Sequence, residues 1–463
     1  MTSDRRLHIA AAFTHALRAL RELAIPIVIG IVAGGRSLGT GSLVVGLGGA
    51  AVSAVIGYVR WRTTTYRITD RALHFRSGVF SPDETVVPID RIQSVDTIAG
   101  PIQRLFGITG LRVQTAGGGK DAEIELSALS PEAVRELREA LGHREVSTAG
   151  APRERLGARE LALTALTAPQ LTVLLPIVGL AGAAVQDGVV GLDAGRRLAD
   201  RVDDPYHAAV ALAVVLGVAW ALSFAGAVLA FGGFEVTRLD DRLRVRRGLL
   251  ERRAVTVPIG RVDAVVLVES VLRRPFGLAT LRLEVAGLAA ETAASRTLFP
   301  LLRRRDAEAF LQRLVPELAV TLVPERRPPR RALRRFLTVP VAAALILGVA
   351  LTVAVPGAWP ALPVALVVAL VAGADAYAAT GLTFTPTHVV VRSRRRGARV
   401  TLAARVRRLQ EHGVARSPLQ RRARLATVDL AVGSGTRARA RHVEADVARA
   451  YLARLAPSRS RYR

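Results

Sequence analysis

From Phe336 to Ala374 the chain carries no charged residue. A helix that crosses the hydrocarbon of a bilayer needs roughly 20 apolar residues, so this stretch is too long for one crossing. Pro356, Gly357, Trp359, Pro360 and Pro363 interrupt it midway. The pattern predicts two membrane helices joined by a tight turn. Other stretches repeat the theme. Leu161–Gln186 is uncharged between Glu160 and Asp187, and Ala208–Phe234 is uncharged between His207 and Glu235. Ser42–Val59 is shorter and glycine-rich. Leu23–Gly35 is a short apolar core that must borrow from Phe13–Leu20. The expectation is six spans in three hairpins. The late start of the first apolar region argues against a cleavable signal peptide.

Arginine placement gives an orientation. Arg5, Arg6, Arg18 and Arg21 precede the first span, and Arg60 and Arg62 follow the second. Arg153, Arg155 and Arg159 precede the third, and Arg326, Arg327, Arg330, Arg331, Arg334 and Arg335 precede the fifth. The opposite side carries Arg36, the Asp187–Asp204 loop and the uncharged Pro356–Pro363 turn. Cytoplasmic loops carry the basic excess, so both termini and the segments between hairpins are expected in the cytoplasm.

Those segments are copies of one another. Val87–Gly117 reads VPIDRIQSVDTIAGPIQRLFGITGLRVQTAG, and Val257–Gly287 reads VPIGRVDAVVLVESVLRRPFGLATLRLEVAG. A divergent third copy runs over Leu402–Gly433. Short runs of period-two alternation predict about seven strands per copy. A helix closes each: one starting at Ser130-Pro131 with Ser130 as N-cap, one over Arg305–Val315, and one over His442–Leu455. Arg261 to Gly277 repeats the spacing of Arg91 to Gly107, and Arg405 is placed as the third counterpart. Phe106-Gly107 and Phe276-Gly277 are read as core plugs; Ala423-Arg424 stands in their place in the third copy.

About seven strands and a C-terminal helix is the layout of a pleckstrin-homology-like barrel. The motif carried by Pro88, Arg91, Phe106 and Gly107, and again by Pro258, Arg261, Phe276 and Gly277, resembles the bacterial PH-like domain family. Its alternation with paired spans resembles the YdbT-like bacterial membrane proteins. The fold class expected is thus an α+β integral membrane protein with about six transmembrane helices and three cytosolic PH-like β-barrel domains. The divisions are an N-terminal segment and first hairpin over 1–60, a PH-like domain over 61–145 and a second hairpin over 146–233. A second PH-like domain follows over 234–320, then a polybasic linker and third hairpin over 321–380, and a divergent arginine-rich domain over 381–463. The resemblance implies a bacterial plasma-membrane location and allows a small PH-like membrane companion as partner; it carries no activity with it.

No catalytic constellation is visible, and neither enzyme activity nor a cofactor is expected. The eight histidines are scattered, without the spacing of a metal site. With no cysteine in the chain, a disulfide or thiolate site is impossible. Gly117-Gly118-Gly119-Lys120-Asp121 lacks the spacing of a phosphate loop and reads as a hairpin loop. Asp375, at the end of the sixth span, reads as interfacial and not as a proton relay. What remains is charge: the net value is +27. The candidate lipid- or partner-contacting residues are the linker arginines Arg326, Arg327, Arg330, Arg331, Arg334 and Arg335, together with Arg392, Arg394, Arg395, Arg396, Arg399, Arg421 and Arg422 of the last domain. The repeat-motif residues are read as structural. Basic clusters beside spans attract an anionic leaflet. Nucleic acid is not expected, because stacking aromatics are missing. The favoured reading is a non-enzymatic membrane-anchored scaffold or binding module that engages a protein partner, the anionic inner leaflet, or both. The alternative is a transporter or lipid-handling protein that uses the helical bundle, which polar groups converging between the helices would favour.

Overall fold

The computed structural model describes residues 5–14, 16, 40–69, 71–78, 83–115, 123–141, 150–167, 205–285, 296–355 and 357–455. The expected first span at Leu23–Gly35, most of Leu161–Gln186, the Asp187–Asp204 loop and the Gly117–Asp121 loop lie outside them. The chain divides into two compact units, Met1–Val257 and Pro258–Arg463. The division falls inside the second PH-like segment.

In the first unit, β1 (Arg5–Arg6) precedes the helix α1 (Thr40–Thr63) and is followed in one sheet by β2 (Thr65–Ile68), β3 (Ala72–Ser77) and β4 (Asp83–Pro88), in the order β1-β2-β3-β4. Next come β5 (Ile92–Ala99), the short helix α2 (Pro101–Leu105), β6 (Thr109–Thr115), β7 (Glu123–Leu129) and the closing helix α3 (Pro131–Ala140). The N-cap prediction holds: Ser130 Oγ accepts from Ala133 N at 3.2 Å, with Pro131 in the first turn. Val134, Leu137 and Leu141 bury one face of α3 against Leu73, Val95, Leu111 and Leu126. Leu7, Ala10 and Ala11 join this core, and Leu7 O accepts from Trp61 Nε1 at 2.9 Å. Residues before the first apolar stretch therefore belong to the first PH-like core.

The unit continues with β8 (Arg153–Arg155), α4 (Ala158–Leu166), α5 (Pro205–Phe231), β9 (Glu235–Leu239), β10 (Arg242–Arg247) and β11 (Arg252–Pro258). These strands do not form a sheet of their own. The seven-stranded order is β7-β6-β5-β11-β10-β9-β8. β11 thus pairs antiparallel with β5 of the preceding repeat, Ile98 opposite Arg253.

The second unit uses the same device. β12 (Val262–Glu269), β13 (Leu278–Val285) and β14 (Thr297–Arg303), closed by α6 (Ala307–Leu314), are joined to β15 (Gly381–Phe384), β16 (His388–Arg395) and β17 (Ala398–Arg405) in the order β14-β13-β12-β17-β16-β15. Between them stand α7 (Leu333–Ala354) and α8 (Ala361–Ala379). A three-stranded sheet of β18 (Leu409–Ala415), β19 (Leu425–Val432) and β20 (Arg437–Glu444) completes the unit, with the short helix α9 (Pro418–Arg422) after β18 and α10 (Ala445–Leu455) at the end. Val389, Val391, Leu402, Val428 and Leu430 pack together, and Tyr451 of α10 seals that core. The closing helix starts later than expected because His442 and its neighbours extend β20.

Hydrogen bonding among the described residues gives sheets that cross repeat boundaries, where alternation alone led to separate barrels. The expected seventh strand of each repeat also has an unexpected source. Glu154 of β8 lies opposite Val236 of β9, and Arg5 of β1 opposite Tyr66 of β2. An isolated bridge joins Arg326 to Leu382 in the same way. In every repeat, the backbone entering the apolar stretch is paired with the backbone leaving it. Arginines that the sequence assigned to topology alone are also strand residues.

Among the described residues, two helices are long and apolar enough to cross a membrane: Arg330–Ala354 and Ala361–Ala379, each with only 11% of its apolar window buried. A core helix of a soluble protein would be covered. The two pack closely because Gly373 leaves room where a Cβ would meet Phe336 O and Leu337 Cδ2, both at 2.8 Å, the small-residue device of membrane helix pairs.

Candidate membrane-proximal site

The Pro-Ile-x-Arg motif is a turn. Pro88 and Pro258 end β4 and β11, and Ile89–Arg91 and Ile259–Arg261 each form one 3-10 turn before the next strand. Proline has no N–H to lend a ladder, which suits a strand end. In the third copy the turn is Val406–Arg408, so Arg408, not Arg405, is the counterpart of Arg91 and Arg261. The spacing from Arg408 to Arg424 then equals those from Arg91 to Gly107 and Arg261 to Gly277. The extra length of this copy lies before Arg408. Arg405 instead donates from Nη2 to Glu317 O at 2.6 Å.

The expected Phe-Gly plugs are not in the core. Phe106 is 51% exposed and Phe276 73% exposed. The glycines do turn the chain, with φ of 63° at Gly107 and 62° at Gly277, and Arg424 takes the same left-handed conformation at φ 54°. The residue that faces inward on this turn is polar. Gln103 Nε2 donates to Ser127 O at 3.2 Å, Arg273 Nη1 to Pro300 O at 2.9 Å, and Gln420 Nε2 to Thr427 Oγ1 at 2.8 Å. Burial lowers the pKa of Arg273 to about 10. The outward residues are apolar: Leu105 and Phe106, then Val271, Leu272 and Phe276, then Leu419, all exposed. Polar inside and apolar outside is the reverse of a soluble surface turn.

These turns touch segments that flank apolar stretches. Phe106 meets Phe13, in the segment leading to the first apolar stretch, edge to face at 6.4 Å. Leu419 O accepts from Arg335 Nη2 of α7 at 3.2 Å. Arg274 pairs with Asp375 of α8. Asp375 is the hub of the second unit: Arg394 Nε lies 3.5 Å from Oδ2 and Arg399 Nη2 3.8 Å from Oδ1. Three arginines from two repeats thereby hold the end of α8.

A cleft of about 740 Å³ opens at the foot of the α7–α8 pair. Phe336, Val339 and Pro340 of α7 and Ala372, Gly373 and Ala376 of α8 form its apolar wall. Six arginines line it (Arg335, Arg394, Arg395, Arg437, Arg439 and Arg441) against two carboxylates, Glu411 and Asp429. Arg437 pairs with Glu411 at 3.1 Å and Arg439 with Asp429. Arg395 and Arg441 are exposed and have no side-chain partner among the described residues. Positive charge is therefore in surplus beside an apolar wall. His442 closes the cleft edge to face on Phe336, with ring centroids 4.9 Å apart. Burial, then Arg441 and Arg335, lower its pKa below the usual histidine range.

The other arginines singled out from the sequence divide by environment. Arg392 is 3% exposed; its Nε donates to Ala379 O at 3.2 Å, and burial lowers its pKa to about 10. It anchors β16 to the end of α8 and is no surface contact. Arg399 is held on Asp375. Arg331 donates to Ala423 O at 3.0 Å and to Glu444 Oε1 at 2.9 Å. Arg326 is engaged through its backbone with Leu382. Arg327, Arg330, Arg334, Arg396, Arg421 and Arg422 are exposed. Sequence reasoning missed Arg437, Arg439 and Arg441, whose alternation along one strand was the available signal. No group of histidine and acidic residues fit to hold a metal occurs among the described residues.

The bacterial PH domain family model matches residues 18–145, 174–318 and 332–458. The transmembrane protein YdbT of Bacillus subtilis (strain 168) is 29% identical over 287 residues, covering 56% of this chain and 57% of that protein. The transmembrane protein YdbS of the same organism is 29% identical over 70 residues, 15% of this chain and 44% of that protein. The chain thus spans about half the length of each of these relatives. No solved structure matches. Three matches at the period of the structural repeat place the chain in the bacterial PH domain family.

Proposed function

We propose that the protein is a non-enzymatic, multi-pass membrane scaffold whose PH-like domains lie against the anionic inner leaflet of the bacterial plasma membrane. It crosses the bilayer six times in three hairpins, with both termini and the PH-like domains in the cytoplasm. The arginine placement supports this orientation, as does the pairing of strands that enter and leave each apolar stretch. The observation that carries the reading is the cleft at the foot of α7 and α8, where six arginines face two carboxylates beside an apolar helix wall. That combination suits the phosphate of an anionic phospholipid, with its acyl chains along α7 and α8. Within the second unit, the outward apolar turns at Phe276 and Leu419 fit such a boundary layer, where apolar and basic side chains work together.

Two arginines near an anionic leaflet contribute about 1 kcal/mol each, or roughly 30-fold together. The full chain in nanodiscs of mixed phosphatidylglycerol and phosphatidylcholine is expected to enrich phosphatidylglycerol in its retained lipid. The Arg395→Glu/Arg441→Glu variant is expected to lose that enrichment. Equal retention of both lipids by the unaltered chain would sink the proposal.

A further inference from the structure

Among the described residues, two strands lack a neighbour that their counterparts possess. The 3-10 turns Ile89–Arg91, Ile259–Arg261 and Val406–Arg408 align the three repeats. β4, β11 and β17 enter these turns, and β5, β12 and β18 leave them. β11 pairs with β5, and β17 pairs with β12. The register is the same in both seams: Ile98 opposite Arg253 and Val268 opposite Val400 are equivalent positions. The chain thus joins one repeat to the next by one rule, used twice. Among the described residues, β4 has only β3 beside it and β18 only β19.

The vacant edges differ from the filled ones. β12, covered by β17, buries every residue but Val268, whereas β18 buries none. Val86 of β4 is 49% exposed, while its β11 counterpart Thr256 is 7% exposed. An unpaired edge presents a row of free N–H and C=O groups, a template for another strand. Applied a third time, the register sets Ala415 opposite Asp83 and Val414 opposite Glu84. Asp83 and Glu84 then lie beside Arg416. The second unit's internal seam likewise sets Glu269 opposite Arg399.

We propose that β18 of one chain pairs antiparallel with β4 of a second copy, in the register of the internal seams. Each chain offers one edge of each kind, so the contact is heterologous and joins copies head to tail. The main chain supplies the hydrogen bonds, as in other strand additions. The inference does not rest on the arginine cleft, and lipid retention has no bearing on it.

The chain has no cysteine, so introduced cysteines are unambiguous. Residues directly opposite in an antiparallel pair stand about 4.5–5.5 Å apart at Cα, within the range a disulfide spans. Val268→Cys/Val400→Cys within one chain is the control, because that pairing exists already. Two differently tagged full-length copies, one Ala415→Cys and the other Asp83→Cys, are co-expressed and oxidised in their membranes. The expected result is a reducible dimer carrying both tags, at about half the yield of the control, because random head-to-tail mixing seats the matching copy on half of the edges. Ala415→Cys paired with Arg437→Cys should give none. Formation of the control disulfide without the dimer overturns the proposal. So does capture by Ala415→Cys of a smaller protein in place of the second copy, which would assign the edge to another occupant.

Discussion

Replacing Asp375 by alanine should unlock the second unit. The carboxylate is 14% exposed and is shared by Arg274, Arg394 and Arg399, whose side chains are 34%, 27% and 14% exposed. Without it, three guanidinium groups face one another at the end of α8. Removing one partner of a buried ion pair costs about 3–5 kcal/mol. Two of these arginines reach solvent, which screens the repulsion, so about 2–3 kcal/mol is the figure to test. For a unit of this size each kcal/mol shifts the unfolding midpoint by about 2–4 °C, giving a loss of roughly 4–12 °C. The assay is thermal unfolding of the detergent-solubilised chain at one scan rate, followed by tryptophan fluorescence. Asp375→Asn should fall between the unaltered chain and Asp375→Ala. The double variant Asp375→Ala/Arg394→Ala should lose less than the sum of its parts, because the second change relieves repulsion left by the first. A midpoint for Asp375→Ala within 1 °C of the unaltered chain, or strict additivity, would refute the account of Asp375 as the hub.

Two further outcomes follow from local geometry. Arg424 occupies a left-handed conformation that the other repeats give to Gly107 and Gly277; left-handed backbone costs a side chain about 1–2 kcal/mol and glycine recovers only part of this, so Arg424→Gly should raise the unfolding free energy measured by urea denaturation by about 0.5–1 kcal/mol, and an unchanged or lower free energy would contradict the strain. The pKa of His442 is lowered by burial, Arg441 and Arg335, so its contribution is fully present above the ordinary histidine pKa and is lost as pH falls through the lower folded value; His442→Asn should lose less stability than the unaltered chain between pH 8 and pH 5, about 6.5 being the unfolded pKa, and parallel pH profiles would exclude the role.

The sequence located much of this molecule by two periodicities. Uncharged length marked α7 and α8 because no soluble surface is needed along a helix in hydrocarbon. The alternation and the repeated spacing marked the strands, and Ser130-Pro131 marked a helix start through a hydrogen bond only three residues long in reach. Phe106 and Phe276 were misread because an aromatic beside glycine is usually core; only the fold shows Gln103 and Arg273 taking the inside of that turn. Arg405 was misplaced because its motif lacks proline, and the 3-10 turn that identifies Arg408 is a backbone feature. Arg392 reads like its neighbours Arg394 and Arg395 in the string, yet strand alternation and the end of α8 bury it. Local chemistry therefore determined the elements, their repetition and the charge surplus. The partners of each strand depended on contacts between residues far apart in the chain. Nothing local to β11 or β17 says that it will pair with the preceding repeat, because a main-chain ladder is blind to side-chain identity. Tertiary structure alone joined Ile98 to Arg253 and Val268 to Val400, and among the described residues it left β4 and β18 as edges.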